Sequence, residues 1–137
     1  MIGRMARPTT ALIVEDEQHV RVFLRLLLKE CGIETVWEAG DGAQALALVG
    51  QHQPELVLLD INLPIMNGVE VLQVLHGEHP GLPVIMVTAQ SAMKTVLECV
   101  KLGALAYLLK HSPKDEALKI LRDALDGLAA DPTDEAS

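Results

Sequence analysis

Five strand-like runs recur along the chain, at residues 11–14, 35–39, 56–59, 84–87 and 106–109. The runs at 11–14, 56–59 and 84–87 are wholly apolar, as expected of strands covered on both faces. Between the runs the apolar period changes to that of a helix. Val20, Leu24, Leu27, Leu28 and Cys31 share one helical face, with Gly32 as a stop. A second, Ala/Leu-rich helix is predicted over Ala43–Gln51. A third runs from Val69 to His79 with Leu72 and Leu75 inward, and stops before Pro80-Gly81. A fourth holds Met93, Val96, Leu97 and Val100 and ends near Gly103. The fifth carries Leu118, Leu121, Leu125 and Leu128, with Ser112 as candidate cap and Pro113 as first helical residue.

Five βα units in succession predict an α/β fold. Crossovers between parallel strands are right-handed and need a helix, so the sheet is parallel with helices on both faces. Residues 10–129 form the expected domain. Residues 1–9 are expected to be a flexible N-terminal extension. Residues 130–137, polar and aperiodic, are expected to be a disordered tail or the stub of a linker.

Composition narrows the function. The net charge is −8 and no basic run exists, which argues against direct nucleic-acid binding. No window approaches the roughly 18 uninterrupted apolar residues of a membrane span. The two cysteines, Cys31 and Cys99, stand in no metal or redox spacing and read as buried thiols in a reducing compartment. A cytoplasmic location is therefore expected. With one Phe, one Trp and one Tyr, the core must be aliphatic.

The strand ends carry the chemistry. Run 1 ends in Glu15-Asp16, run 3 in Asp60, run 4 in Thr88-Ala89 and run 5 in Lys110. In open α/β sheets, sites form at the carboxyl ends of the strands. If strands 1 and 3 are neighbours, their ends lie roughly 5 Å apart. Asp16 and Asp60 then share one position, and their mutual repulsion is relieved by protonation or by a divalent ion. An oxygen-only donor set suits Mg²⁺. A carboxylate nucleophile, a hydroxyl (Thr88) and a mobile cation (Lys110) are the parts that phosphoryl transfer needs. Asp60 is the nucleophile candidate, being the acid at the end of a central strand.

These residues in this order resemble the receiver domain of two-component response regulators. The matching segments are Leu12-Ile13-Val14-Glu15-Asp16, Leu58-Leu59-Asp60-Ile61-Asn62-Leu63-Pro64 with Asn67-Gly68, Val87-Thr88-Ala89, and Gly103-Ala104 followed by Tyr107-Leu108-Leu109-Lys110. The resemblance covers about Thr10 to Leu128. It implies a flavodoxin-like, doubly wound five-stranded sheet in the order 2-1-3-4-5, flanked by five helices.

The resemblance also implies roles. Asp60 would accept a phosphoryl group from a sensor histidine kinase or phosphotransfer protein. Asp16, Asp60 and the Asn62 backbone carbonyl would ligate Mg²⁺, with Glu15 acting through water. Thr88, Ala89 and Lys110 would surround the phosphoryl group, with Ala89 keeping the entrance open. Thr88 and Tyr107 would form the switch, Tyr107 turning inward. The face made by helix 4, strand 5 and helix 5 would signal to an output domain or downstream protein. The same face offers a route to a homodimer. The implied protein is a signalling switch rather than a metabolic enzyme; its catalysis is limited to its own phosphorylation and dephosphorylation.

Three positions depart from the family pattern. His111 follows Lys110 where proline is usual, leaving the isomer of that peptide bond open. Glu15 replaces the commoner aspartate, and Asn67 stands where aspartate is frequent. Two other functions compete. One is a receiver-like interaction domain that signals without phosphorylation, favoured by the Lys110-His111 departure. The other is an aspartyl-nucleophile phosphatase or phosphotransferase. It is disfavoured because Asn62 occupies the position where such enzymes commonly carry a second aspartate. No Gly-rich loop follows strand 1, against a nucleotide site. His76 and His79, three apart on helix 3, read as solvated or capping residues because no further ligand converges on them. His19 is assigned no role. The sequence leaves open whether the chain acts alone or within a longer regulator.

Overall fold

The computed structural model describes residues 7–89 and 93–129. Most of the expected N-terminal extension and the expected tail lie outside the described residues, as does the Met93 side chain. Five strands and five helices alternate: β1 (Thr10–Val14), α1 (Gln18–Glu30), β2 (Thr35–Ala39), α2 (Gly42–His52), β3 (Val57–Asp60), α3 (Gly68–Glu78), β4 (Val84–Thr88), α4 (Met93–Lys101), β5 (Ala106–Leu109) and α5 (Lys114–Ala129). All pairings are parallel, and the sheet order is β2-β1-β3-β4-β5. The doubly wound α/β fold is thus as expected from the sequence.

Alternation along the strands divides the core into two layers, because successive side chains point to opposite faces. Ala11, Ile13, Leu58, Ile85 and Val87 pack against Leu24, Leu27 and Leu28 of α1 and Leu118, Leu121 and Leu125 of α5. Leu12, Val14, Val57, Leu59, Val84 and Met86 pack against α2, α3 and Cys99 of α4. Each fully buried leucine contributes roughly 2 kcal/mol. The central strands β1, β3 and β4 are buried almost throughout, which explains their uninterrupted apolar runs.

Helix α4 divides its apolar residues between core and surface. Val96 and Cys99 are buried, whereas Leu97 and Val100 are about half exposed, at 53% and 54%. The helix has more apolar positions than one face can hold, and the i, i+3 pair Val96/Cys99 wins the core. Leu97 and Val100 are left on the outside. Helix α5 starts one residue later than expected: the Pro113 carbonyl accepts from the Ala117 N–H, so Pro113 occupies the capping position.

The loop from β3 into α3 is pinned at both ends. Asn67 accepts from the Glu70 N–H, and Glu70 accepts from the Asn67 N–H, a reciprocal capping box. The Gly68 N–H donates to the Ile61 carbonyl at 2.8 Å. A Cβ at Gly68 would overlap the Asp60 carbonyl oxygen and lie 2.7 Å from the Ile61 Cα. Both are backbone atoms at the end of the strand that carries Asp60, so neither can step aside alone. Between them, Ile65 is 97% exposed and holds a left-handed backbone, φ +70°. That conformation is costly for a β-branched residue, and the exposed side chain recovers nothing by burial.

Two substitutions test this loop. Gly68→Ala should destabilise the fold by at least about 2 kcal/mol, through overpacking against backbone. Ile65→Gly should stabilise it by about 0.5–1 kcal/mol, by removing left-handed strain at some cost in chain entropy. Urea unfolding of the two variants beside the parent chain measures both. Melting midpoints that move the other way would contradict the steric account.

Candidate functional site

The site grows from the carboxyl ends of β1, β3, β4 and β5. β1 and β3 are direct neighbours, Val14 pairing with Leu59. The residues that follow, Glu15 and Asp60, therefore emerge side by side. One oxygen atom from each of Glu15, Asp16 and Asp60 lies within 4.8 Å of the other two. Glu15 and Asp60 are completely buried, while Asp16 is exposed at the mouth.

Asp60 is held from both sides. Its Oδ1 accepts from the Asn62 backbone N–H at 3.0 Å, and its Oδ2 accepts from Lys110 Nζ at 3.1 Å. Glu15 is held similarly: Oε2 accepts from the Glu17 N–H and from Lys110 Nζ, both at 3.1 Å. Its Oε1 lies 3.0 Å from the same ammonium but accepts no aligned hydrogen bond. The peptide bonds of the described residues are all trans, Lys110-His111 included. With that bond trans, Lys110 still reaches both buried acids. The Lys110 N–H donates to the Thr88 carbonyl at 2.8 Å, which fixes the residue where β5 ends beside β4.

Burial dominates the electrostatics. It raises the Glu15 carboxyl to about 7; the Glu17 N–H and Lys110 oppose it, and the Asp60 charge adds to it. Burial also raises Asp60 above the usual carboxylate range, against the Asn62 N–H and Lys110. On Lys110 burial works against the charge. Hydrogen bonds to Glu15 and Asp60 outweigh it and hold the ammonium above its ordinary pKa. One cation thus faces more buried negative charge than it can neutralise.

That imbalance fits a divalent cation. The converging donors are carboxylate oxygens, the hard ligands that Mg²⁺ and similar ions take, and Glu15 Oε1 is a buried oxygen without a hydrogen-bond donor. Asn62 is exposed on the loop after β3, next to Asp60. Thr88 is buried at the end of β4, paired in register with Leu109, and Ala89 is exposed after it. The structure therefore brings Glu15, Asp16, Asp60, Asn62, Thr88 and Lys110 to one sheet edge.

Tyr107 lies elsewhere. It is on β5, 36% exposed, in a groove of about 590 Å³ lined also by Val100, Leu105, Leu109 and Ile120. Its ring lies on the outer face in this state. Sequence reasoning missed Glu17, whose Oε1 accepts from Lys110 Nζ at 3.1 Å. A signal was present: Glu17 stands where α1 begins, a position that favours Ser, Thr, Asp or Asn.

Comparison with known proteins agrees with this geometry. Residues 11–122 match the family model of the response regulator receiver domain. The chain is 34% identical over 119 residues to the probable transcriptional regulatory protein TcrX of Mycobacterium tuberculosis, covering 87% of this chain and 50% of TcrX. It is 32% identical over 113 residues to the chemotaxis protein CheY of Listeria monocytogenes, covering 82% of this chain and 95% of that protein. The chain thus spans about half the length of some relatives and nearly all of others. The crystal structure of the receiver domain of NtrX from Brucella abortus superposes with a TM-score of 0.77 at 30% identity, covering 85% of this chain and 98% of that one. With its matched residues, its sheet order and its cluster of acids beside a buried lysine, this chain belongs to the response regulator receiver domain family.

Proposed function

We propose that the chain is a two-component signalling switch in which Asp60 takes up a phosphoryl group. The observation that carries this reading is the setting of the Asp60 carboxylate. It is buried at the end of a central strand, with the Asn62 N–H on one oxygen and Lys110 on the other. Such a group is oriented for in-line attack and cannot rotate away.

In the proposed reaction an Asp60 carboxylate oxygen attacks phosphorus, and the phosphorus–nitrogen bond to the donor breaks. The electron pair leaves with the donor, a phosphohistidine of a sensor kinase or phosphotransfer protein. The Asn62 N–H fixes the plane of the carboxylate. Lys110 Nζ and the Thr88 hydroxyl stabilise the phosphoryl oxygens, and Ala89 leaves the entrance open. Asp16, Asp60 and the Asn62 carbonyl would hold Mg²⁺, with Glu15 acting through water. The ion would offset the charge of the carboxylates and of the incoming phosphoryl group. Water attack on the acyl phosphate returns Asp60, so the chain turns over only itself.

The output reading rests on the outer face. Leu97, Val100, Leu105, Tyr107 and Ile120 leave apolar surface on α4, β5 and α5. Drawing Thr88 toward the phosphoryl group would open room for Tyr107 to turn inward. The groove would change shape, and an output domain, a downstream protein or a second copy would read it. A cytoplasmic setting suits the two free cysteines.

Two experiments test the site. Incubation with Mg²⁺ and acetyl phosphate should add one phosphoryl group by intact mass, and Asp60→Asn should add none. Absence of an adduct on the folded parent chain would overturn the reading. The second concerns pH. Burial pushes the Glu15 carboxyl up to about 7 from its ordinary 4.5, and Asp60 shifts the same way. The folded chain binds more protons than the unfolded chain between those limits. Without divalent cation, stability should therefore rise on acidification from about pH 7 toward 4.5 by on the order of 1–3 kcal/mol. Lys110 is charged in both states across this window and adds no slope. Mg²⁺ at neutral pH, or Glu15→Gln, should remove much of the dependence in chemical denaturation.

A further inference from the structure

We infer that Glu17 is a positioning residue. It occupies one N–H of Lys110 until a phosphoryl oxygen takes its place. The inference rests on the reading of Asp60 as phosphoacceptor, and goes beyond it.

An ammonium has three donors. Those of Lys110 are directed at three carboxylates: Glu15 Oε2, Asp60 Oδ2 and Glu17 Oε1, each at 3.1 Å. A phosphoryl oxygen of an incoming donor, while Asp60 is still a carboxylate, can gain a hydrogen bond from Lys110 only where one of these gives way. Exposure decides which. The Glu15 and Asp60 side chains are 0% exposed and the Glu17 side chain is 49% exposed. Releasing a buried carboxylate leaves an unpaired charge in the interior, whereas Glu17 swings into water and is solvated at once. Glu17 is the contact that yields.

A second observation supports the exchange. Glu17 is the N-cap of α1, yet its side chain makes no capping hydrogen bond. The first-turn N–H groups of α1 receive nothing from the residue placed to cap them, because its carboxylate reaches to Lys110 instead. On release, that carboxylate has those N–H groups as new partners and keeps His19, whose Nε2 already lies 3.9 Å from Oε2. Loading of the site is thereby linked to the first turn of α1.

The test compares the parent chain with Glu17→Gln and Glu17→Asp at saturating Mg²⁺. Gln removes the charge. Asp keeps it, but prefers to cap its own helix. Adduct formation from acetyl phosphate should accelerate in both variants, by roughly two- to five-fold, the upper part of the range for an ion pair with one partner half in water. A readout free of phosphate accompanies it: hydrogen exchange of the ¹⁵N-labelled Lys110 ammonium, without donor, should quicken in both variants. Acceleration in Gln alone would assign the effect to long-range charge and overturn the inference. Equal adduct rates and equal exchange in all three proteins would overturn it also. A parent chain that takes no phosphoryl group, with exchange still changed by the variants, would instead overturn the reading of Asp60.

Discussion

The ammonium of Lys110 is the constraint on which the rest of the structure depends. It sits 4% exposed among carboxylates that begin 95, 93 and 50 residues earlier in the chain. Removing any buried partner would leave an uncompensated charge, a loss of several kcal/mol. The sheet order serves this contact. β5 lies two strands from β3, roughly 10 Å at ordinary strand spacing, and a lysine is among the few side chains long enough to cross β4. The Thr88 carbonyl fixes where the crossing starts, by accepting the Lys110 N–H.

That arrangement is not optimised for stability. A core of leucines and isoleucines would hold the same sheet without two desolvated acids whose pKa values rise. Natural proteins keep such groups where charge must arrive and leave. The strain at Ile65 and the tight fit at Gly68 belong to the same economy. The loop after β3 is forced into one conformation so that the Asn62 N–H meets Asp60. Rigidity around the carboxylate is obtained at the expense of ideal backbone geometry.

Much of the fold was legible in the sequence because buried parallel strands leave uninterrupted apolar runs. Strand ends then located Glu15, Asp60, Thr88 and Lys110, since parallel topology delivers every carboxyl end to one edge. What was not legible depends on competition among similar groups. Helix α4 offers Val96, Leu97, Cys99 and Val100, and only packing decides that Val96 and Cys99 go inside. Asp16 and Glu15 are adjacent acids just past the end of β1, yet one is exposed and the other fully buried, because the Glu15 N–H still bonds the Ala39 carbonyl beside β2 while Asp16 turns out at the mouth. Glu17 was given no role from the sequence. Its contact with Lys110 spans 93 residues, a separation no local pattern encodes. Tyr107 was recognisable as a residue, but its outward placement depends on which face of β5 is free.

The distance between site and outer face is short in structural terms, and this shapes how the two can be coupled. Thr88 pairs with Leu109, and Met86 with Tyr107, in the β4–β5 register. A pull on Thr88 acts on the strand that lies against Tyr107, with no intervening layer. Helix α4 closes one side of that region, yet among its described residues it buries just Val96 and Cys99. At roughly 2 kcal/mol per buried aliphatic side chain, its anchorage is weak beside that of α1 and α5, with four buried residues each. An element held this lightly would respond to a bias of a few kcal/mol, the scale of the one or two charge-assisted hydrogen bonds that the proposed phosphoryl group would make. The firmly packed helices cannot respond at that scale. If a signal leaves the proposed site, this lightly held helix lies where it would have little distance to travel.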